Sequence, residues 1–229
     1  MRFPLFIFIF ICWWQTGFSQ VIPGDDLNSF LDRYNYEKKR ELQEIYATYQ
    51  SIEGTPFLDE EFVKGTAIIN DSVQIEDVPL RYDIYRDRIQ FMHKEEVILE
   101  IDPTQNINFD FGDHLFVIQE YLDDKEKKRG VLELLVDGSV RLYKKYEVVF
   151  KPATKPIGFK DAEPDRFERK DDKYLIAIED GLPEIVQRKN DVYQILKACK
   201  PDIEEYAKNN KLKPKPGKGL TQLVEYCNE

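Results

Sequence analysis

Arginine, aspartate and tyrosine side chains recur at short spacing in VPLRYDIYRDRIQFMHKEEVILEI, residues 78–101. Carboxylates, guanidinium groups and phenols placed side by side can transfer protons and stabilise developing charge in an active site. The same stretch also alternates apolar and polar residues almost step by step, which is typical of a β-strand with one buried face. These residues are therefore either a cluster that does chemistry or the solvent face of a sheet.

The alternation favours the sheet. Successive side chains of a strand point to opposite faces, so the apolar residues of 80–91 share one face. The polar residues share the other face: Arg81, Asp83, Arg88 and Gln90. With a turn at 85–87, these four become cross-strand neighbours on the solvent side, where opposite charges stabilise by about 1 kcal/mol or less. Replacing Asp83 by Ala is accordingly expected to cost less than about 1 kcal/mol.

The rest of the chain has no recognisable catalytic or metal-binding pattern. His93 and His114 are far apart in sequence and have no ligand partners at a familiar spacing. The motifs HExxH, CxxC, P-loop and G-x-S-x-G do not occur, and Ser139 in VDGSV has no evident base. We therefore predict a non-enzymatic protein with no catalytic residue, no cofactor-binding residue and no metal site.

Residues 1–19 have the features of a secretory signal peptide. An apolar run of about 12 residues follows Arg2, and a bilayer span would need roughly 20. Gly17 and Ser19 are the small residues that a signal peptidase requires before a cut at Gln20. We predict a periplasmic protein, or a secreted one, with no transmembrane segment after cleavage. A retained membrane anchor is the alternative.

The charge of the mature chain excludes some partners. After cleavage 32 Lys and Arg face 43 Asp and Glu, a net charge of −11. Nucleic acids and anionic lipid surfaces are bound mainly through clustered positive charge. The lysines of KLKPKPGKG, residues 211–219, are the local exception, and a solvated linker explains them better than a binding patch. We therefore predict a protein partner and no nucleic acid.

The chain divides by periodicity into four segments after the signal peptide. Residues 20–60 form an N-terminal helical segment, with a helix predicted over 27–52 that ends before Gly54. Residues 61–152 form an antiparallel β domain. Residues 153–188 form a Pro-rich linker and a β-hairpin that turns at 179–181. Residues 189–229 form a C-terminal helical subdomain.

The β domain is a run of short alternating strands separated by turn signals. Asp137-Gly138 between two alternating runs is the strongest hairpin signal in the chain. We predict an α+β fold whose antiparallel β-meander forms an open sheet, a sandwich or a partial barrel. The residues expected on its core side are Leu80, Tyr82, Ile84, Ile89, Phe91, Ile98, Leu134, Val136 and Val148.

Two cysteines remain after cleavage, Cys199 and Cys227. Both stand at the end of an i, i+3, i+4, i+7 apolar pattern, so both are expected to point into the core of the helical subdomain. An even pair in an oxidising compartment predicts one disulfide. Two buried thiols are the alternative, because cysteine is common in cores as a small apolar residue.

The stretch GTPFLDEEFVKGTAIINDSVQIEDVPLRYDIYRDRIQF, together with the C-terminal KNNKLK and LTQLVEYCNE, resembles a family of exported proteins of Bacteroidetes-type bacteria. A glutamine directly after the signal peptide, as at Gln20, is also common in that group. The resemblance implies export and covers most of the mature chain. It supplies no catalytic or binding residues.

Two functions of different classes fit these observations. The first is a non-enzymatic periplasmic accessory protein that docks on an outer-membrane assembly, for example as a plug-like subunit of a type 9 secretion translocon. The alternative is a binding module for a glycan or a small apolar ligand, held inside the meander if it closes as a barrel. A hydrolase ranks third. A pocket in the fold would separate the first two.

Overall fold

The fold is taken from a computed structural model that describes residues 20–22, 37–70, 72–93, 97–105, 107–156, 162–186, 188–215 and 217–229. The predicted signal peptide, residues 23–36 of the predicted N-terminal helical segment and part of the Pro-rich linker lie outside these residues. The described chain is mixed α+β and contains four helices and thirteen strands, most of them paired antiparallel.

The helices and strands have the following bounds. The strands are β1 Gln20–Ile22, β2 Val63–Ile69, β3 Val73–Asp83, β4 Arg88–His93, β5 Val97–Glu100, β6 Ile107–Asp110, β7 Leu115–Asp123, β8 Glu126–Val136, β9 Val140–Lys145, β10 Val148–Lys151, β11 Arg166–Arg169, β12 Lys173–Ile178 and β13 Glu184–Val186. The helices are α1 Glu37–Tyr49, α2 Lys189–Leu196, α3 Ile203–Asn209 and α4 Lys218–Asn228.

Eleven of these strands form one sheet in the order β13-β12-β9-β8-β7-β6-β2-β3-β4-β5, with β1 paired to β3. The predicted meander is confirmed locally, since β2 to β5 and β6 to β9 are runs of sequential antiparallel neighbours. Between the two runs the chain returns from the β5 edge and places β6 beside β2. A sequence of alternating strands cannot reveal this return, because β6 would read the same beside either neighbour.

One end of the sheet closes into a five-stranded barrel. Strands β7, β8, β9, β12 and β13 pair in sequence, and β13 returns to β7 through the parallel pair Glu184↔Leu122. The backbone amide of Leu122 also donates to the carbonyl of Pro183 at 2.8 Å. The predicted hairpin over 173–187 is therefore confirmed, and it supplies the last two strands of the barrel.

Three apolar clusters form the core. The barrel encloses one of them, which consists of Tyr121, Leu132, Tyr143, Leu175 and Ala177. A second joins the outer side of the barrel to helices α2, α3 and α4. The third and largest lies among β2 to β8 and extends to Tyr146, Val148 and Phe167 near the small β10–β11 sheet.

The predicted core residues are mostly confirmed. Seven of the nine are buried: Leu80, Tyr82, Ile84, Ile89, Phe91, Val136 and Val148. Ile98 and Leu134 are half-buried. Val148 belongs to β10, which pairs with β11 in a separate two-stranded sheet and not with the large sheet.

The β8–β9 turn receives the end of the chain. Asp137-Gly138 lies between these two strands, as predicted, and Gly138 has a φ of 142°. The side chain of Asn228 in α4 accepts from the Val140 amide at 2.8 Å and donates to the Val140 carbonyl at 2.9 Å. The hairpin turn is therefore also the docking point of the C-terminal helix.

Candidate functional site

The polar residues of 78–91 are cross-strand neighbours, but two of them are buried. The pairs Arg81↔Gln90 and Asp83↔Arg88 are confirmed by the β3–β4 register. Asp83 and Gln90 are 0 % exposed, so the prediction that they face solvent is wrong. Helix α1 packs against β5, and Tyr46 of this helix reaches the side chain of Gln90. Both faces of this hairpin are therefore covered.

Gln90 links the guanidinium group of Arg81 to the buried carboxylate. Arg81 donates to Gln90 Oε1 through Nε at 3.1 Å and Nη2 at 2.9 Å. Gln90 Nε2 donates to Asp83 Oδ2 at 3.2 Å and to the Tyr46 hydroxyl. The guanidinium carbon of Arg81 also stacks 3.7 Å from the ring centroid of Phe57. Each side-chain polar atom named in these bonds thus has a hydrogen-bond partner within the protein.

Tyr46 and Glu100 extend the network to the sheet edge. The Tyr46 hydroxyl donates to Glu100 Oε1 at 2.5 Å, and Arg86 binds both oxygens of Glu100 at 2.9 and 3.2 Å. The backbone amide of Arg86 donates to Asp83 Oδ1 at 2.9 Å. These bonds attach helix α1 to β3, β4 and β5, and we therefore assign the network a structural role.

Burial changes the acidity of this network. The pKa of Asp83 is raised from 3.8 to about 7, mainly by burial and in part by the nearby Glu100 carboxylate. The hydrogen bond from the Arg86 amide and the charges of Arg86 and Arg81 act in the opposite direction. Burial is the largest cause, so the carboxyl titrates near neutral pH instead of at its ordinary value.

A partly buried ion pair joins the β3–β4 turn to the barrel. Lys145 Nζ contacts Asp87 Oδ1 and donates to the Val131 carbonyl at 3.1 Å and to the Tyr82 hydroxyl at 3.4 Å. The Tyr82 hydroxyl in turn donates to Asp87 Oδ1 at 2.8 Å. The side chain of Lys145 is 12 % exposed, and burial lowers the pKa of its ammonium group while Asp87 raises it. The ammonium group has three protons and three acceptors, so each proton has a hydrogen-bond partner within the protein.

A third cluster surrounds Glu133 of β8, which is buried. Its Oε1 lies 2.5 Å from His114 Nδ1, and its Oε2 accepts from the Tyr146 hydroxyl at 2.6 Å. Lys144 Nζ donates to the Tyr146 hydroxyl at 2.8 Å and lies 3.5 Å from Asp172. Burial, together with the hydrogen bond to Glu133, raises the pKa of Tyr146. This cluster holds His114, whose role the sequence predicts to be structural.

A polar cavity opens where the barrel meets the β3–β4 turn, and we call it the barrel mouth. Its volume is about 220 Å³, and its lining includes Tyr85, Asp87, Tyr121, Asp123, Lys145 and Lys173. The barrel interior below it is filled by the apolar cluster of Tyr121, Leu132, Tyr143, Leu175 and Ala177. A ligand therefore has room at the mouth and not in the interior.

A larger groove lies on the outer side of the barrel, between helix α2 and the β12–β13 hairpin. Its volume is about 520 Å³, and we call it the α2 groove. Apolar side chains line most of it, among them Ile178, Leu182 and Ile195. Glu184 and Asp191 add negative charge to the lining. The groove thus combines an apolar surface with acidic residues.

The sequence gives no direct sign of these sites, with one exception. Gly130 lies inside the β8 strand, and glycine inside a strand often marks a close backbone approach. Here the approaching group is the Asp87 carboxylate, because a Cβ at position 130 would overlap it. Glu133, Lys144 and Lys145 were missed because a charged residue in a strand reads as a solvent-facing one.

Cys199 and Cys227 are both free thiols in the structure. Cys227 is buried in α4, and Cys199 follows the end of α2 and packs against the same helical cluster. The pKa of Cys227 is raised to about 11, mainly by burial and in part by Cys199. Both cysteines thus pack in the same helical cluster, and the disulfide stays a prediction.

Among the described residues, no group of three or more His, Cys, Asp or Glu side chains is placed to hold a metal ion. Within the same part of the chain, none of the helices combines the length and the apolar character needed to cross a membrane. Comparison of the chain with protein-family models, curated proteins and solved structures found no match.

Proposed function

We propose that this chain is an exported, non-enzymatic interaction protein that docks on a protein partner through the α2 groove. The observation that carries this proposal is the groove itself, a cavity of about 520 Å³ lined by apolar side chains such as Ile178 and Ile195 together with Glu184 and Asp191. Grooves of this composition suit an inserted peptide or helix, whose apolar residues fill the groove and whose charges meet those around it.

The polar clusters support a binding role over a catalytic one. A catalytic group must be available to the reacting atoms. Asp83 and Glu133 accept hydrogen bonds from neighbouring side chains, and Lys145 donates all three of its protons within the protein. The α2 groove is separate from these clusters, and its lining is mostly apolar. Docking of a partner in the α2 groove is therefore better supported than catalysis by the polar clusters.

The start of β1 supports export. This strand begins at Gln20, the residue that follows the predicted cleavage site, and pairs in parallel with Val73–Ile75 of β3. Cleavage before Gln20 would leave β1 intact at the new N-terminus. A periplasmic location then makes an outer-membrane assembly, such as the type 9 secretion translocon, a specific candidate for the partner.

The acidic residues of the α2 groove indicate which kind of partner segment would bind there. The mature chain is acidic, and Glu184 and Asp191 lie at the groove. We therefore propose that the occupant is a segment of the partner with apolar residues flanked by lysine or arginine. Opposite charges on the two sides raise the association rate, and salt screens the attraction.

Affinity capture from the envelope of the native host, with quantitative mass spectrometry, tests the proposal. The wild-type chain should enrich the same partner in repeated captures, and Glu184→Lys should reduce its recovery several-fold. Glu205→Lys, an equal charge reversal at an exposed position of α3, is the matched control. Equal recovery with Glu184→Lys and with the wild-type chain would contradict the assignment of the groove.

A further inference from the structure

We propose that the barrel mouth binds a neutral, hydroxyl-rich ligand, namely one sugar ring of a glycan. The barrel mouth shares only Ile185 with the lining of the α2 groove, and the proposal does not depend on the docking function. The mouths of β-barrels are preferred ligand positions, and pockets for drug-sized molecules range over roughly 300–1,000 Å³. A cavity of about 220 Å³ is below that range and suits a smaller group.

The charges of the mouth are balanced within the protein. Lys145 contacts Asp87, Lys173 Nζ lies 3.1 Å from Glu147, and Lys128 Nζ lies 2.8 Å from Asp123. An ionic ligand would have to compete with these pairs and would meet as many opposing charges as attractive ones. A neutral ligand avoids this cost. Its hydroxyl groups can still donate to the remaining lone pairs of the carboxylates.

An exposed aromatic ring stands at this cavity. Tyr85 is 42 % exposed, and it is the only large hydrophobic side chain exposed in the described part of the chain. Phe167 and Tyr49 hold its ring from behind, with centroids at 5.1 and 6.2 Å. A rigid, exposed ring beside hydrogen-bonding groups offers a stacking surface for the apolar face of a sugar, as amphipathic aromatic residues do at other binding sites.

The size of the cavity, its balanced charges and its exposed aromatic ring therefore favour a neutral polyol at the barrel mouth.

Titration of the ¹⁵N-labelled full mature chain with glucose, galactose, mannose and N-acetylglucosamine tests this inference. At least one of these sugars should shift amide resonances of residues around Tyr85, Tyr121 and Lys173 with a millimolar dissociation constant, since a ligand this small makes few contacts. Tyr85→Ala should weaken that binding by about tenfold through loss of the stacking surface. Galacturonate and glucosamine, the charged probes, should bind more weakly than galactose and N-acetylglucosamine.

Two controls separate the outcomes. Tyr206→Ala removes the same kind of ring from the helical layer, where Tyr206 stacks on Tyr226, and should leave sugar binding unchanged. Gln194→Lys, an exposed position of α2 in the lining of the α2 groove, should also leave it unchanged. The inference is overturned if no neutral sugar shifts the mouth resonances, if Tyr85→Ala binds as the wild type does, or if a charged probe binds tightest.

Discussion

The carboxylate of Asp87 lies directly against the backbone of Gly130, in the space where any other residue would carry its Cβ. The Val131 amide donates to Asp87 Oδ1 at 3.3 Å, and Lys145 contacts the same oxygen. Asp87 has a φ of 56°, so the turn itself adopts a left-handed conformation to reach this position. These contacts join the β3–β4 turn to strands β8 and β9 of the barrel.

Gly130→Ala should lower the free energy of unfolding by about 1–3 kcal/mol, because the added methyl group displaces the Asp87 carboxylate from its buried bonds. Urea unfolding measures the change. The double variant Asp87→Ala/Gly130→Ala relieves the overlap, so its cost should be smaller than the sum of the two single costs. Strict additivity would show that the two residues do not interact in this way.

Asp83 should make stability depend on pH. Its pKa is about 7 in the folded protein and 3.8 in an ordinary environment, so the folded state holds the proton more tightly than the unfolded state. Its contribution to stability is therefore complete below about pH 4 and is lost as the pH rises through 7. The loss is at most about 1.4 kcal/mol per pH unit in that window.

The test compares urea unfolding of the wild type with that of Asp83→Asn, whose amide does not titrate, between about pH 4 and pH 8. The stability of the wild type relative to the variant should fall as the pH rises. Asp180→Asn, at an exposed turn position, should give a difference that changes little with pH. A relative stability that rises with pH would contradict the conclusion that burial disfavours the ionised form of Asp83.

Asn228 should be important for holding the C-terminal helix on the barrel. Its side chain makes four hydrogen bonds with the β8–β9 turn, to Asp137, Ser139 and both backbone groups of Val140. Asn228→Ala should cost about 1–3 kcal/mol of unfolding free energy, since the Val140 groups lose their partner. Glu225→Ala, on the exposed side of the same helix, is the control and should cost less than about 0.5 kcal/mol.

The pair Cys199 and Cys227 should form a disulfide in protein recovered from an oxidising compartment. The bridge would close a loop of about 29 residues, and chain entropy gives such a loop roughly 3–4 kcal/mol less any strain in the folded state. Thiol counting on the denatured, unreduced protein should find no free thiol. A count of two would leave both cysteines as buried core residues.

The sequence predicts the strands, the hairpin turns and most core residues because alternation and turn chemistry are local. The same local pattern assigned Asp83 and Gln90 to solvent, because nothing near them in sequence reveals that Tyr46 of α1 covers that face. Closure of the barrel depends on the contacts of Leu122 with Pro183 and Glu184, which are far from it in sequence. The barrel mouth follows from such distant contacts, whereas the α2 groove is lined by one segment, residues 176–198, and depends on how α2 packs on the β12–β13 hairpin.

The docking of a partner in the α2 groove is the central claim, and site-specific photocrosslinking in the native host tests it most directly. A photoreactive residue at position 195 lies in the groove lining, and one at position 208 lies on the exposed side of α3. Docking in the groove should give a discrete crosslinked product with one envelope protein from position 195 and none from position 208. No product from position 195, or the same product from both positions, would contradict it.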